Sequence, residues 1–149
     1  MLKAKDIMTK DVITVSPSTT IEELASILTE NKISGCPVVD ENRGLIGIVT
    51  ENDLINQKKR LHIPTIVRLF DAFILIESPS RLQKELKRMT AVKVDEICSR
   101  DIITVSEETP IEDIATIMSE KRIHLIPVVE GSKIKGIIGK MDLIKGIAK

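Results

Sequence analysis

The chain has 149 residues, enough for one compact domain or two intimately packed subdomains. Lysine and arginine balance aspartate and glutamate at 22 each, so no net field recruits nucleic acid or an anionic membrane. Tyr and Trp are absent and Phe occurs only at Phe70 and Phe73, which makes the core aliphatic and removes the stacking platforms that bind single strands.

The opening residues, Met1 to Lys5, carry no apolar run, so no secretory signal is expected there. The most apolar stretch, 63–76, is broken by Arg68 and Asp71 and falls short of the roughly twenty residues a bilayer needs. Cys36 and Cys98 lie in different parts of the chain, which suits a reduced, soluble, cytoplasmic protein.

In chain order, residues 12–15 (Val12, Ile13, Thr14, Val15) read as a short β-branched strand. Thr19 and Glu22 form a capping box with Thr19 as N-cap. A helix follows, its apolar face at Ile21, Leu24, Ala25 and Leu28. Residues 36–39 and 45–49 are apolar strands around a polar turn at 40–44. A second helix opens near Thr50 and Asp53.

The whole pattern then returns ninety positions on. Residues 11–16 match 101–106, Ile21 and Glu22 match Ile111 and Glu112, and Pro37, Val38 and Val39 match Pro127, Val128 and Val129. After a one-residue deletion, Gly47 matches Gly136 and Asp53 matches Asp142. In the second copy Pro110 stands at the expected first helical position, with Ile111, Ile114, Ala115 and Met118 as the apolar face. Its strands are 126–129 and 134–138 around a turn at 130–133. The division is therefore 1–57 for the first repeat, 58–92 for a helical insertion and 93–149 for the second. Units of about fifty residues are too small for a good core alone, so they bury against each other and leave clefts between them.

Within the insertion, Ile63, Ile66, Val67, Phe70, Phe73 and Ile74 suggest one apolar helix, and residues 79–89 another. Arg81, Lys84, Lys87 and Arg88 lie on the latter, either as a solvated face or within reach of a phosphate.

Chemistry concentrates where each second strand meets its helix. Thr50 and Asp53 sit on one helical turn, where a carboxylate can accept from both hydroxyls of a ribose, each bond contributing about 1.5–3 kcal/mol. The same pair is also a capping box, and capping alone accounts for both residues. The second copy runs Gly139, Lys140, Met141, Asp142 and keeps the aspartate without the hydroxyl. No Walker loop, no nucleophile elbow and no dinucleotide fingerprint occurs, and His62, His124, Cys36 and Cys98 lack metal-ligand spacing. Glu22, Glu23, Glu107 and Glu108 sit at helix starts, where the dipole explains them.

As a set, the opening strand, capped helix, Pro-Val-Val strand and Gly-h-h-Thr/Ser-x-x-Asp ending resemble the CBS motif, named after cystathionine beta-synthase. The resemblance covers 6–55 and 95–144, and the pair is similar to a CBS (Bateman) module. It implies an α/β fold of two β-α-β-β-α repeats about a pseudo-twofold axis, with two clefts for AMP, ADP, ATP or S-adenosylmethionine. Carried over residue by residue, one site has Thr50 and Asp53 on the ribose with Ile103 and Ile123 against adenine. The other has Asp142 on the ribose, with Ile13, Ile33 and the Ser34 backbone at the base. Gly139 departs from the Thr/Ser preference, which makes the second site the weaker. His124 stands where some members place a phosphate-contacting histidine, or is a partly buried residue ahead of a core strand. Lys140 is a further phosphate candidate.

The resemblance implies a regulatory, non-catalytic nucleotide sensor without a required cofactor, a homodimer, and a regulated partner. The alternative is a ligand-silent dimerisation module.

Overall fold

The computed structural model describes residues 1–59 and 91–148. The expected insertion, with its apolar helix and its basic group, lies outside the described residues except at its edges. The elements are α1 (Ala4–Ile7), α2 (Ile21–Asn31), β1 (Gly35–Val39), β2 (Leu45–Thr50) and α3 (Glu51–Lys59), then α4 (Val94–Ile97), α5 (Ile111–Lys121), β3 (Leu125–Glu130), β4 (Lys133–Gly139) and α6 (Lys140–Ala148). β1 pairs antiparallel with β2, and β3 with β4, in two separate sheets. The same bulge recurs in both, between Val38 and Val39 and between Val128 and Val129. The one-residue deletion falls in the hairpin turn. The longer turn is an Asx turn, in which Asp40 Oδ1 accepts from the N–H groups of Asn42 and Gly44; the shorter one turns at Gly131, φ 64°.

The opening segments are not strands. Only Val15 bridges β1, through Val38, and only Val105 bridges β3, through Val128. Val15 N–H donates to Pro37 O and Val39 N–H to Val15 O, at 3.0 and 2.9 Å. The next rung of a parallel ladder needs the N–H of residue 37, and proline has none. Pro127 ends the second ladder in the same way. The first of these segments, through Asp11 and Ile13, lines a cleft.

The caps also shift. Thr20, not Thr19, caps α2 and accepts from Glu23 N–H at 3.2 Å. Thr19 is already engaged, its hydroxyl accepting from Ser16 N–H to close the preceding turn. In the second copy Pro110 is the N-cap rather than the first helical residue, because its ψ of 148° is extended, and Thr109 closes the turn at Ser106.

The first N–H of α2 and of α5 finds its acceptor in the segment that opens the other repeat: Ile21 on Val92 O and Ile111 on Leu2 O, both 3.1 Å. These bonds belong to an exchange of segments. One core holds Val105, Ile114, Ile126, Val128, Ile138 and Leu143 together with Ala4, with Ile7 and Met8 packed on it. The other holds Val15, Leu24, Leu28, Val38 and Val49 together with Val94, with Ile97 and Cys98 packed on it. So α1 completes the second repeat's core and α4 completes the first's. Gly136 and Gly47, the repeat-matched pair, permit this. A Cβ on Gly136 would lie 3.0 Å from Thr9 O, and one on Gly47 3.1 Å from Ser99 O.

Candidate functional site

β2 runs into α3 without a loop, and β4 into α6 likewise. At each junction an aspartate three residues on reaches back to the strand's last N–H. Asp53 Oδ2 accepts from Thr50 N–H, and Asp142 Oδ2 from Gly139 N–H, both at 2.8 Å. The capping geometry is therefore present in both copies and orients a half-buried carboxylate toward the mouth of a cleft. Thr50 adds its hydroxyl to Asp53 Oδ2 at 3.3 Å.

The preceding residues are aimed by helix endings that the periodicity did not reveal. Lys32 and Arg122 close α2 and α5 in the left-handed region, each at φ 54°, and turn Ile33 and Ile123 out of the helix line.

Two clefts result. The first, about 280 Å³, brings together Thr50, Asp53 and Ile123, three of the four residues the resemblance grouped, with His124, Ile48, Asn52 and Arg122 beside them. Ile103 does not line it. The second, about 340 Å³, gathers Asp142, Ile13, Ile33 and Ser34, the group the resemblance placed together, with His124 and Lys140 beside them. Sequence reasoning missed Thr9, Asp11 and Lys32, which also line this cleft. Lys32 and Arg122 were legible, since both are basic and sit at matched positions. Thr9 was not, because its place depends on the exchange of segments.

The clefts share a wall formed by Ser34, Glu51, His124 and Leu125. Here the repeats touch closely, and a Cβ on Gly35 would lie 2.7 Å from Val49 O and 3.0 Å from Leu125 Cδ2. Matched backbone bonds hold the wall, Glu51 N–H to Ser34 O at 2.8 Å and Lys140 N–H to His124 O at 3.1 Å. The side chains at those matched positions carry opposite charges.

Both cysteines are free. Burial pushes the Cys36 thiol up to about 11 and raises that of Cys98 less strongly, so neither is an activated nucleophile. Among the described residues no three His, Cys, Asp or Glu side chains converge to hold a metal ion, and no helix is long and apolar enough to cross a membrane.

The CBS domain profile matches residues 4–60 and 94–149. The CBS domain-containing protein CBSX1 of Arabidopsis thaliana, a chloroplast protein, is 29% identical over 94% of this chain and 61% of its own length. Protein MJ1225 of Methanocaldococcus jannaschii is 33% identical over 96% of the chain and 46% of its own length. The chain thus spans about half to three-fifths of these two curated relatives. The crystal structure of the CBS domain pair of protein MJ0100, in complex with 5′-methylthioadenosine and S-adenosyl-L-methionine, superposes with a TM-score of 0.72 at 27% identity, covering 99% of this chain and 97% of that one. That of CBSX2 in complex with AMP shares the fold, with a TM-score of 0.73 at 24% identity over 99% and 97%. With the repeat pair, the paired sheets and both strand-to-helix aspartates in place, the chain belongs to the CBS domain family.

Proposed function

We propose that the chain is a regulatory, non-catalytic module that binds an adenosine compound between its repeats and passes occupancy to a partner protein. The observation that carries this is the second cleft, which brings Asp142, the aliphatic pair Ile13 and Ile33, and the polar residues Ser34, His124 and Lys140 to one lining. A carboxylate suits the two ribose hydroxyls, aliphatic walls suit a purine face, and the imidazole and ammonium groups suit phosphates. In the first cleft Thr50 and Asp53 take the ribose, Ile123 the base, and His124 and Arg122 the phosphates. The MJ0100 pair, with its two adenosine-derived ligands, supports the class: AMP, ADP, ATP or S-adenosylmethionine.

Ligand joins residues of both repeats, so its differential affinity for two arrangements of the pair limits the signal it sends. A homodimer is part of this reading. It is supported by the exposed Ile55 on α3 and the exposed Met141, Ile144 and Ile147 on α6, apolar surface that a second module would cover.

Isothermal titration and thermal shift with AMP, ADP, ATP, S-adenosylmethionine and 5′-methylthioadenosine test the proposal. Saturable heat and a raised melting temperature are expected, since a ligand of the native state stabilises it. No response up to millimolar concentration leaves the alternative, a ligand-silent dimerisation module, in which both aspartates serve only as caps.

A further inference from the structure

Gly139 removes from the second cleft the hydroxyl that Thr50 supplies in the first, yet the carboxylate there has a hydroxyl beside it. Thr9 Oγ1 lies 3.3 Å from Asp142 Oδ1 and 3.5 Å from Oδ2, as near as Thr50 Oγ1 is to Asp53. Its position is not accidental to a mobile side chain. The Thr9 backbone is locked to β4 by a bond in each direction, Thr9 N–H to Ile137 O at 2.8 Å and Ile137 N–H to Thr9 O at 2.9 Å. Thr9 is exposed and lines the same cleft as Asp142.

Its repeat-matched residue behaves differently. Ser99 is locked to β2 by the same pair of bonds, through Ile48, but its hydroxyl contacts Asp101 O and not Asp53. Each carboxylate therefore has one hydroxyl at about the same distance, drawn from its own motif in the first cleft and from the chain's opposite end in the second.

We infer that Thr9 is a positioning residue of the second nucleotide site, replacing the hydroxyl lost at Gly139. It holds the Asp142 carboxylate in the orientation that meets a ribose and lets the same ligand contact the exchanged N-terminal segment. The inference rests on the proposed function, and it removes the ground for expecting a weak second site. It also gives that site a link the first lacks: ligand held by Asp142 and Thr9 fastens α1 onto the second repeat.

The test isolates the second cleft with Asp53→Ala and titrates AMP and S-adenosylmethionine into the full chain. In that background Thr9→Val, which keeps shape and backbone pairing, should weaken binding about tenfold. Thr9→Ser should restore the affinity. So should Gly139→Thr added to Thr9→Val, because a Cβ at 139 has only ordinary contacts, the nearest being Asp142 Oδ2 at 3.8 Å. Recovery by a hydroxyl placed on a different residue is an outcome that a packing role for Thr9 does not produce. Thr9→Ala gives a second reading should the valine variant fold poorly, as judged by apo melting. Unchanged affinity in Thr9→Val, a loss that neither hydroxyl recovers, or no binding in Asp53→Ala when the unaltered chain binds, overturns the inference alone. Failure of the unaltered chain to bind any adenosine compound overturns the proposed function first.

Discussion

The two clefts descend from one repeated unit, and they now differ in ways that the duplication did not dictate. The first has its hydroxyl in the motif, at Thr50, and an acid, Glu51, directly after it. The second has glycine and lysine at those two places, with Thr9 supplying the hydroxyl from across the pair. Their shared geometry comes from hydrogen bonds made by backbone: the aspartate-to-strand cap, the wall bonds at Ser34 and His124, and the left-handed turns at Lys32 and Arg122. Backbone groups are the same whatever the residue, so this frame survives divergence. Side-chain chemistry diverges around it. Two clefts in one fold can thus keep one backbone frame and differ in charge.

Removing the carboxylates strikes that comparison hardest. Asp53→Ala and Asp142→Ala should each abolish one of two binding events, a loss of about 3 kcal/mol, or roughly hundredfold, at the affected cleft. Titration stoichiometry reads it. A chain that keeps two equal sites after either change would show that the aspartates only cap helices.

A smaller but still large effect is expected where the repeats touch. Gly35 faces Leu125, its repeat-matched residue, so the two halves cannot both be bulky there. Gly35→Ala should destabilise by about 1–3 kcal/mol, because the obstructing atoms include the Val49 and Thr50 backbone. Leu125→Ala in the same chain should recover part of the loss if the leucine side chain is the decisive obstacle. Denaturant midpoints of the two variants separate leucine from backbone.

The charge difference is weaker again. Lys140→Glu makes the second cleft like the first and should reduce its affinity for ATP by about three- to tenfold while sparing 5′-methylthioadenosine, which has no phosphate. The change should shrink at high salt, as exposed charges are screened. Equal effects on both ligands would place Lys140 away from the phosphates.

The smallest effect concerns the exchanged segments themselves. Lys3 and Lys5 bind Glu108 at 2.6 and 2.8 Å and hold α1 to the second repeat. The matched positions in the other half are Lys93, Asp95 and Ser18, which cannot repeat the arrangement; there Asp95 pairs with Arg100 instead. The hydrogen bonds from Lys3 and Lys5 draw the Glu108 carboxyl down to about 2, and Glu108 in turn raises the Lys5 ammonium. A lowered carboxylate stabilises the fold fully above the ordinary value of 4.5 and loses that contribution as pH falls toward 2. The raised Lys5 contributes below its ordinary 10.5 and loses that only as pH climbs through its elevated value. Glu108→Gln should therefore melt slightly lower at pH 7 and converge with the unaltered chain near pH 2. A difference that persists at pH 2 would assign the effect to packing.

Much of this was legible in the residues. The repeat located both aspartates, both Pro-Val-Val strands and the glycines at 47 and 136, because duplication doubles every signal. Asp142, Ile13, Ile33 and Ser34, grouped through the family resemblance, line one cleft together. The opening strands were overread: a β-branched run promised a ladder that Pro37 and Pro127, on the neighbouring strand, do not let form. Thr19 was overread for a similar reason, since a threonine suited to two local bonds took the turn and left the cap to Thr20.

The sequence by itself determined the repeat, the amphipathic helices, the apolar strands and the carboxylate at each strand-to-helix junction, all features set by neighbours within a few positions. Only the tertiary structure decided which opening segment completes which core, that Ile13 lines the second cleft while Ile103 is not among the residues lining the first, and that Thr9 reaches Asp142. Local order is governed by short-range sterics and hydrogen bonding, which a pattern can express. Exchange of α1 and α4 is governed by where two half-cores leave room, and that depends on every residue of both.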